Sequence, residues 1–291
     1  MPGEPTAGFR IGELSRRTGV SPELLRAWER RYGLLRPART AGGYRLYTEA
    51  DEQRVRSAQA NLARGLSAAE AAAGALSAGA ASPASSGQGL AAGAAVLAAS
   101  LDAFDEPTAQ AVLDRMLADF TAESVLAEVI LPYLRQLGRR WADGQATVAC
   151  EHFASNIIRG HLGGLARGWG QGQGPGALLA CPPGEQHELG LMAFGVVLHR
   201  NGWRVHYLGT DTPVAELAGA ARDIRPDLTV LAAVTPDRYQ PHLTELGRLA
   251  AAVPLALAGA GATRALALAT GARLLAGDPV TEAQDARARA G

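Results

Sequence analysis

Apolar positions in this chain recur with two different periods, and the change of period marks its parts. Over residues 9–77 the spacing is helical. Ile11 to Arg17 predicts a short helix, Thr18-Gly19-Val20 a turn, and Ser21-Pro22 an N-cap followed by proline at the first helical position. A second helix is expected from Glu23 to about Tyr32, with Leu24, Leu25 and Trp28 facing inward. Residues 33–47 contain Pro37, Gly42 and Gly43, lose the helical period and end in Tyr44-Arg45-Leu46-Tyr47, which predicts a two-stranded hairpin turning near Gly42-Gly43. Thr48 and Ser67 have the character of N-caps for two further helices. Helical periodicity returns from about 90 to 168, most clearly over 123–141, where Leu126, Ile130, Leu134, Leu137 and Trp141 share one face and Pro132 predicts a kink or a break. Another helix starts near Thr147 and continues past Ile157, and this density of helices predicts a four-helix bundle. From residue 176 the apolar runs shorten, at 177–181, 203–208, 228–234, 254–258 and 273–276, and alternate with helical segments. That alternation predicts a doubly wound, Rossmann-like parallel sheet with its ligand site beyond the carboxyl ends of the strands.

Composition divides the chain in the same places. Residues 78–89 (AGAASPASSGQG) are small, uncharged and rich in Pro, Gly and Ser, so a flexible linker is expected there. The expected organisation is a small helical domain with a hairpin over 1–77, the linker over 78–89, the bundle over 90–170 and the sheet domain over 171–291. A chain of 291 residues is long enough for such parts at roughly 100–200 residues per domain. The formal net charge is zero, but residues 1–64 carry 12 arginines against seven acids, a net of +5, and the remainder carries −5. A basic nucleic-acid module joined to a different domain accounts for that split. Lysine is absent and alanine abundant, which points to coding bias, so the alanine runs say little about structure. Cys150 and Cys181 are too few and too far apart for a disulfide framework or a CxxC metal pair. The first residues lack the apolar segment of a signal peptide and no stretch of about 18 strongly apolar residues occurs, so a cytoplasmic protein without a membrane partner is expected.

The basic module suits DNA. A helix-turn-helix lays its second helix in the major groove, and here that helix carries Arg26, Arg30 and Arg31, while the hairpin adds Arg36, Arg39 and Arg45 beside Tyr44. Arginine serves both base edges and phosphates, and a tyrosine hydroxyl helps fix the register on the backbone. The plainer alternative is a solvated basic surface whose arginines pair with Glu23 and Glu29. The stretch FRIGELSRRTGVSPELLRAWERRYGLLRPARTAGGYRLYTEAD, above all LRAWERRYG and GGYRLY, resembles the winged-helix domain of MerR-family transcription regulators. The resemblance implies binding to double-stranded operator DNA by paired domains.

The first predicted strand of the sheet domain runs into Cys181-Pro182-Pro183-Gly184-Glu185-Gln186-His187-Glu188-Leu189-Gly190. A histidine placed there reaches a ligand over the sheet, and a carboxylate two residues earlier suits the acceptor that fixes its tautomer. With no second His or Cys nearby, one protein ligand fits a metal that arrives inside a macrocycle; a surface histidine of an ordinary flavodoxin-like domain is the plainer alternative. Glu185-x-His187-x-x-Gly190 resembles the Asp-x-His-x-x-Gly signature of cobalamin-binding domains, and Trp141, nine intervening residues, then Glu151-His152 resembles the W-x9-EH motif of CarH-type B12-dependent photoreceptors. The order of domains is that family's order as well.

The resemblance implies His187 as lower ligand to the cobalt of adenosylcobalamin or another cobalamin. It implies Trp141, Glu151 and His152 as the upper pocket, and a homo-oligomer, dimer or tetramer, whose DNA binding responds to light. The chain departs from the pattern in several places. Glu185 stands for the signature's Asp, the usual Ser-x-Leu is altered around Thr235, and Ala258-Gly259 stands for Gly-Gly along the nucleotide-tail groove. Ala142 occupies the place of a histidine that captures cobalt from above in that family, which leaves open a different photoproduct, loss of Co–C photochemistry, or a second tetrapyrrole such as a bilin beside Cys150. Two other classes remain open: a corrinoid carrier of the methionine-synthase type, and a regulator that senses its ligand in the dark.

Overall fold

Start signals written in the sequence begin most of the helices of the computed structural model, which describes residues 8–39, 44–63, 67–79 and 83–290. The chain divides into two compact units, Met1–Gly89 and Leu90–Gly291.

In the first unit, helix α1 spans Ile11–Thr18 and α2 spans Pro22–Tyr32, with the Ser21 hydroxyl accepting from the Leu24 N–H at 3.3 Å. Leu25 and Trp28 are buried as expected, whereas Leu24 is exposed at the edge of that face, about 100° around the helix from Leu25. Strands β1 (Ala38–Arg39) and β2 (Arg45–Leu46) pair antiparallel, closing the expected hairpin on either side of residues 40–43, which lie outside the described residues. Helices α3 (Glu49–Ala63) and α4 (Ala68–Gly79) follow. Thr48 and Asp51 cap one reciprocally, Ser67 and Glu70 the other. Leu14, Leu25, Trp28, Leu34, Tyr47 and Val55 form this unit's core.

The described residues of the interval 78–89 are helical, not the coil their composition suggested. Helix α4 continues to Gly79 and α5 (Pro83–Asp102) begins at Pro83; residues 80–82 lie outside the described residues. Proline is well placed in a first helical turn, and a run of Ala and Ser winds as readily as it coils.

In the second unit, α5, α6 (Glu106–Asp119), α7 with α8, and α9 (Val148–Leu165) make the bundle. Helix α7 (Ala122–Val125) passes through a π turn, Leu126–Ile130, into α8 (Leu131–Ala142). Pro132 explains the irregularity. It has no N–H to continue the ladder, and the chain absorbs the gap with a wider turn in which the Leu131 N–H reaches Leu126.

Strands β3 (Gly176–Ala180), β4 (Arg204–Gly209), β5 (Leu228–Ala232), β6 (Leu255–Ala258) and β7 (Arg273–Leu274) form one parallel sheet in the order β4-β3-β5-β6-β7. Helices α10 (Leu189–Arg200) and α14 (Pro279–Ala290) cover one face, and α11 (Val214–Ile224), α12 (Leu243–Ala252) and α13 (Arg264–Thr270) the other. The apolar core of the first face runs without a break into the bundle. In this strand order the winding reverses between β3 and β5, so the loops leaving those two strands flank the crevice where such folds bind ligands.

Candidate functional site

The loop from β3 to α10 crosses that crevice, and its conformation is set by one carboxylate. Glu185 is 1 % exposed. Its Oε1 accepts from the His187 backbone N–H at 2.9 Å and lies 2.6 Å from His187 Nδ1, while its Oε2 accepts from the Val234 N–H, beyond β5, at 2.8 Å. Burial alone would raise the pKa of this carboxyl, but the bonds from the His187 ring, the Val234 N–H and the His187 N–H outweigh it and leave the pKa at about 2. The pairing raises the pKa of His187, with burial opposing and the charges of Glu185 and Glu151 adding to the rise. An ionised Glu185 places the ring proton on Nδ1, so in the neutral imidazole Nε2 keeps its lone pair. The His187 side chain is 65 % exposed, with its ring tethered at the buried end.

Neighbouring loops brace this one. Gly184 donates to Asp211 Oδ1 at 2.6 Å, and Asp211 donates back to the Glu185 carbonyl. The Glu188 carboxylate accepts from Arg159 Nε of α9 at 2.6 Å and from the Tyr207 hydroxyl of β4, so the residue next to His187 ties bundle to sheet. Sequence reasoning missed this trio. Tyr207 sits in a strand that read as apolar, and Arg159 lies two turns beyond the Glu151-His152 motif of its helix, outside it.

Two signature glycines differ physically. Gly259 has φ +84°, and a Cβ there would collide with the Ala233 carbonyl oxygen, so the close approach of the β5 and β6 loops requires glycine. At Gly190, in the first turn of α10, a Cβ would meet nothing within 4 Å. The protein's own packing does not demand that glycine. Thr235 is exposed beyond β5, and its side chain makes no cap bond to the short helix that follows.

The bundle contributes Trp141, Glu151 and His152. Leu126, Ile130 and Leu137 of the predicted stripe are buried, but Trp141 at its end is 54 % exposed. Thr147 caps α9, accepting from the Cys150 N–H at 3.2 Å, and thereby sets Glu151 in the first turn. Glu151 accepts from the Ser155 hydroxyl at 2.8 Å and lies 3.5 Å from His152 Nε2; the His152 side chain is 70 % exposed. Helix α9, which carries Glu151 and His152, is tied to the His187 loop by the bond from Arg159 to Glu188. Cys150 packs into the bundle core, and burial raises its thiol pKa. A groove of about 660 Å³ on the bundle between α6 and α9 shares none of these residues.

The donor set fits a cobalamin: one imidazole with an unengaged Nε2, its other nitrogen held by a buried carboxylate, above a crevice edged by close-packed glycine loops. His187 would hold the metal, Gly259 would keep the groove between loops narrow, and Trp141 with Glu151 and His152 would face the cofactor from the bundle.

In the first unit, Arg26, Arg30 and Arg31 are exposed on α2, and Tyr44 is exposed with the Arg10 guanidinium 5.0 Å from its ring centroid. Arg45 Nε donates to Glu29 Oε1 at 2.9 Å, and the buried Tyr47 hydroxyl donates to Glu29 Oε2. Glu29 thus ties the hairpin to α2, and Arg45 holds that joint. Arg39 is in β1, but its side chain lies outside the described residues.

Residues 9–73 match the family described as MerR HTH family regulatory protein, and residues 94–165 match the B12 binding domain. The chain is 35 % identical over 260 residues to the HTH-type transcriptional repressor CarH of Myxococcus xanthus, covering 86 % of each protein. It is 36 % identical over 260 residues to the repressor CarA of the same organism, covering 87 % of each. The monomethylamine corrinoid protein of Methanosarcina barkeri superposes with a TM-score of 0.56 at 16 % identity, over 66 % of this chain and 96 % of that one, a likeness of fold.

Proposed function

From the premise that this chain belongs to the family of the HTH-type transcriptional repressors CarH and CarA, we propose that it represses transcription through cobalamin held on His187 and that light relieves the repression. At the coarser level it is a DNA-binding transcription regulator with a B12-binding domain, not a corrinoid-dependent enzyme. The observation that carries the finer reading is the Glu185–His187 pair, which presents one tautomer-fixed nitrogen at the switch point of the sheet. Bound there, cobalamin supplies a cobalt–carbon bond that light can cleave. The chain's own part is to fix the imidazole, cover the upper face with Trp141, Glu151 and His152, and keep the bundle joined to the sheet through Glu188. Assembly into dimers or tetramers multiplies the DNA modules that act together, so the number assembled sets operator affinity.

Ala142 favours a second reading. Its methyl group cannot take a cobalt ligand's place, so a regulator that senses cobalamin without light, or forms another photoproduct, is the competitor. A bilin as second chromophore draws little support from Cys150, which is buried. The test measures size and affinity for DNA selected from a random pool, in dark and light, with and without adenosylcobalamin. The light-responsive repressor predicts tight binding and a larger particle only in the dark with cofactor. Binding that follows cofactor but ignores light selects the competitor, and binding indifferent to both refutes the regulatory role of the site.

A further inference from the structure

One end of the bundle is organised around a carboxylate that belongs to no recognised motif. Asp102 is the last residue of α5, and Arg140 Nη1 of α8 donates to both of its oxygens at 3.0 Å. The Cys150 thiol of α9 lies 3.7 Å from Oδ1 of the same carboxylate. Each partner immediately precedes a pocket residue: Arg140 precedes Trp141, and Cys150 precedes Glu151. The Arg140 carbonyl accepts the Gln145 N–H at 2.7 Å and the Ala146 N–H at 3.1 Å, so the connection from α8 to α9 folds back onto the same residue. Tyr133, two turns before Arg140 on α8, is also buried, and its hydroxyl has no hydrogen-bond partner.

We infer that Asp102 is a positioning residue that fixes the spacing between Trp141 and the Glu151-His152 pair, and that this spacing sets which upper cobalt substituent the bundle accepts. The inference rests on the cobalamin function proposed above. The clamp joins the two halves of the upper pocket through the residue behind each, and the exposed Trp141 has little packing of its own to hold it. An ion pair this accessible contributes little to global stability. Its effect is therefore directional, and a bulky adenosyl substituent feels it while a methyl substituent does not.

The test uses the full chain in the dark, as wild type, Asp102→Asn and Tyr133→Phe, and titrates each with adenosylcobalamin and methylcobalamin. A second measurement needs no cofactor. Trp28, Trp169 and Trp203 are buried, so acrylamide quenching of the apo protein reports chiefly on Trp141. Asp102→Asn is expected to weaken adenosylcobalamin about tenfold relative to methylcobalamin and to shift the quenching constant, while Tyr133→Phe changes neither. Equal losses for both cobalamins, or an unchanged ratio, overturn the inference. If wild type binds neither cobalamin, the proposed function fails separately, and unchanged quenching in Asp102→Asn then overturns the clamp as well.

Discussion

The two sides of the candidate site are held in different ways. On the sheet side, His187 is tethered by a carboxylate that is itself buried and bonded to two backbone amides. On the bundle side, Trp141 and His152 are exposed, beside helix ends and a clamp one residue before Trp141 and two before His152. The lower side is preorganised by hydrogen bonds that leave one direction for the imidazole. The upper side is positioned through the backbone. A ligand direction needs angular precision, which buried charged hydrogen bonds supply. Shielding a broad face needs apolar area, which an exposed indole supplies.

Substitutions separate the two. His187→Ala should have the largest effect, abolishing cobalamin binding or forcing a spectrum without histidine ligation; an unchanged absorption spectrum would refute the lower-ligand assignment. Glu185→Gln should keep the ligand but release its tether, weakening cobalamin by about 10–100-fold in an equilibrium titration.

The same pair sets the pH dependence. The folded pKa of Glu185 is about 2, below the ordinary 4.5, so its stabilisation is present above about 4.5 and lost as pH falls toward 2. His187 has the opposite sign. Its raised pKa means its pairing stabilises below the ordinary 6.5 and fades as pH rises through the folded value. Protons compete with cobalt for this histidine, so ligation measured by spectrum should weaken about tenfold per unit of pH below that value, and Glu185→Gln should move the onset toward lower pH.

Glycine substitutions compare rigidity within the sheet side. Gly259→Ala forces a Cβ against Ala233 at positive φ and should lower apo stability by about 1–3 kcal/mol in denaturant unfolding. Gly190→Ala has room and should be neutral or raise apo stability by up to about 1 kcal/mol, while lowering cobalamin affinity if the ligand approaches that turn. The smallest stability effect is expected for Trp141→Ala, within about 0.5 kcal/mol in the apo protein, since the indole is largely exposed. A large loss there would show that Trp141 is core after all, and the contrast between the two sides would collapse.

Much of the fold was legible because local signals and tertiary packing agree. Each predicted strand core overlaps an observed strand, since short apolar runs bounded by Gly, Pro or Asp have few other places in a doubly wound sheet. Ser21, Thr48, Ser67 and Thr147 cap helices where their positions implied. The segment 78–89 was misleading because its Pro, Gly and Ser suggested coil, while alanine is a strong helix former and proline suits a first helical turn. Trp141 continues a helical stripe in sequence, yet the core ends one turn earlier at Leu137, a limit set by neighbouring helices. Glu29 was legible as an arginine partner, but that the partner is Arg45 depends on a hairpin folding back over α2, a partnership 16 residues apart with no periodic signature. Glu188, Asp102 and Arg140 escaped notice for the same reason, each acting through a partner distant in sequence.

The π turn at Leu126–Ile130 has a consequence for evolution as much as for shape. One extra residue within a helix rotates everything after it by about 100°. The bearing of Trp141, some eleven positions downstream, is thus encoded as an angular phase upstream of Pro132. Deleting one residue from that turn would leave every side chain of α8 chemically unchanged and swing Trp141 around the helix axis, so that loss of the upper cover needs no mutation in the pocket at all.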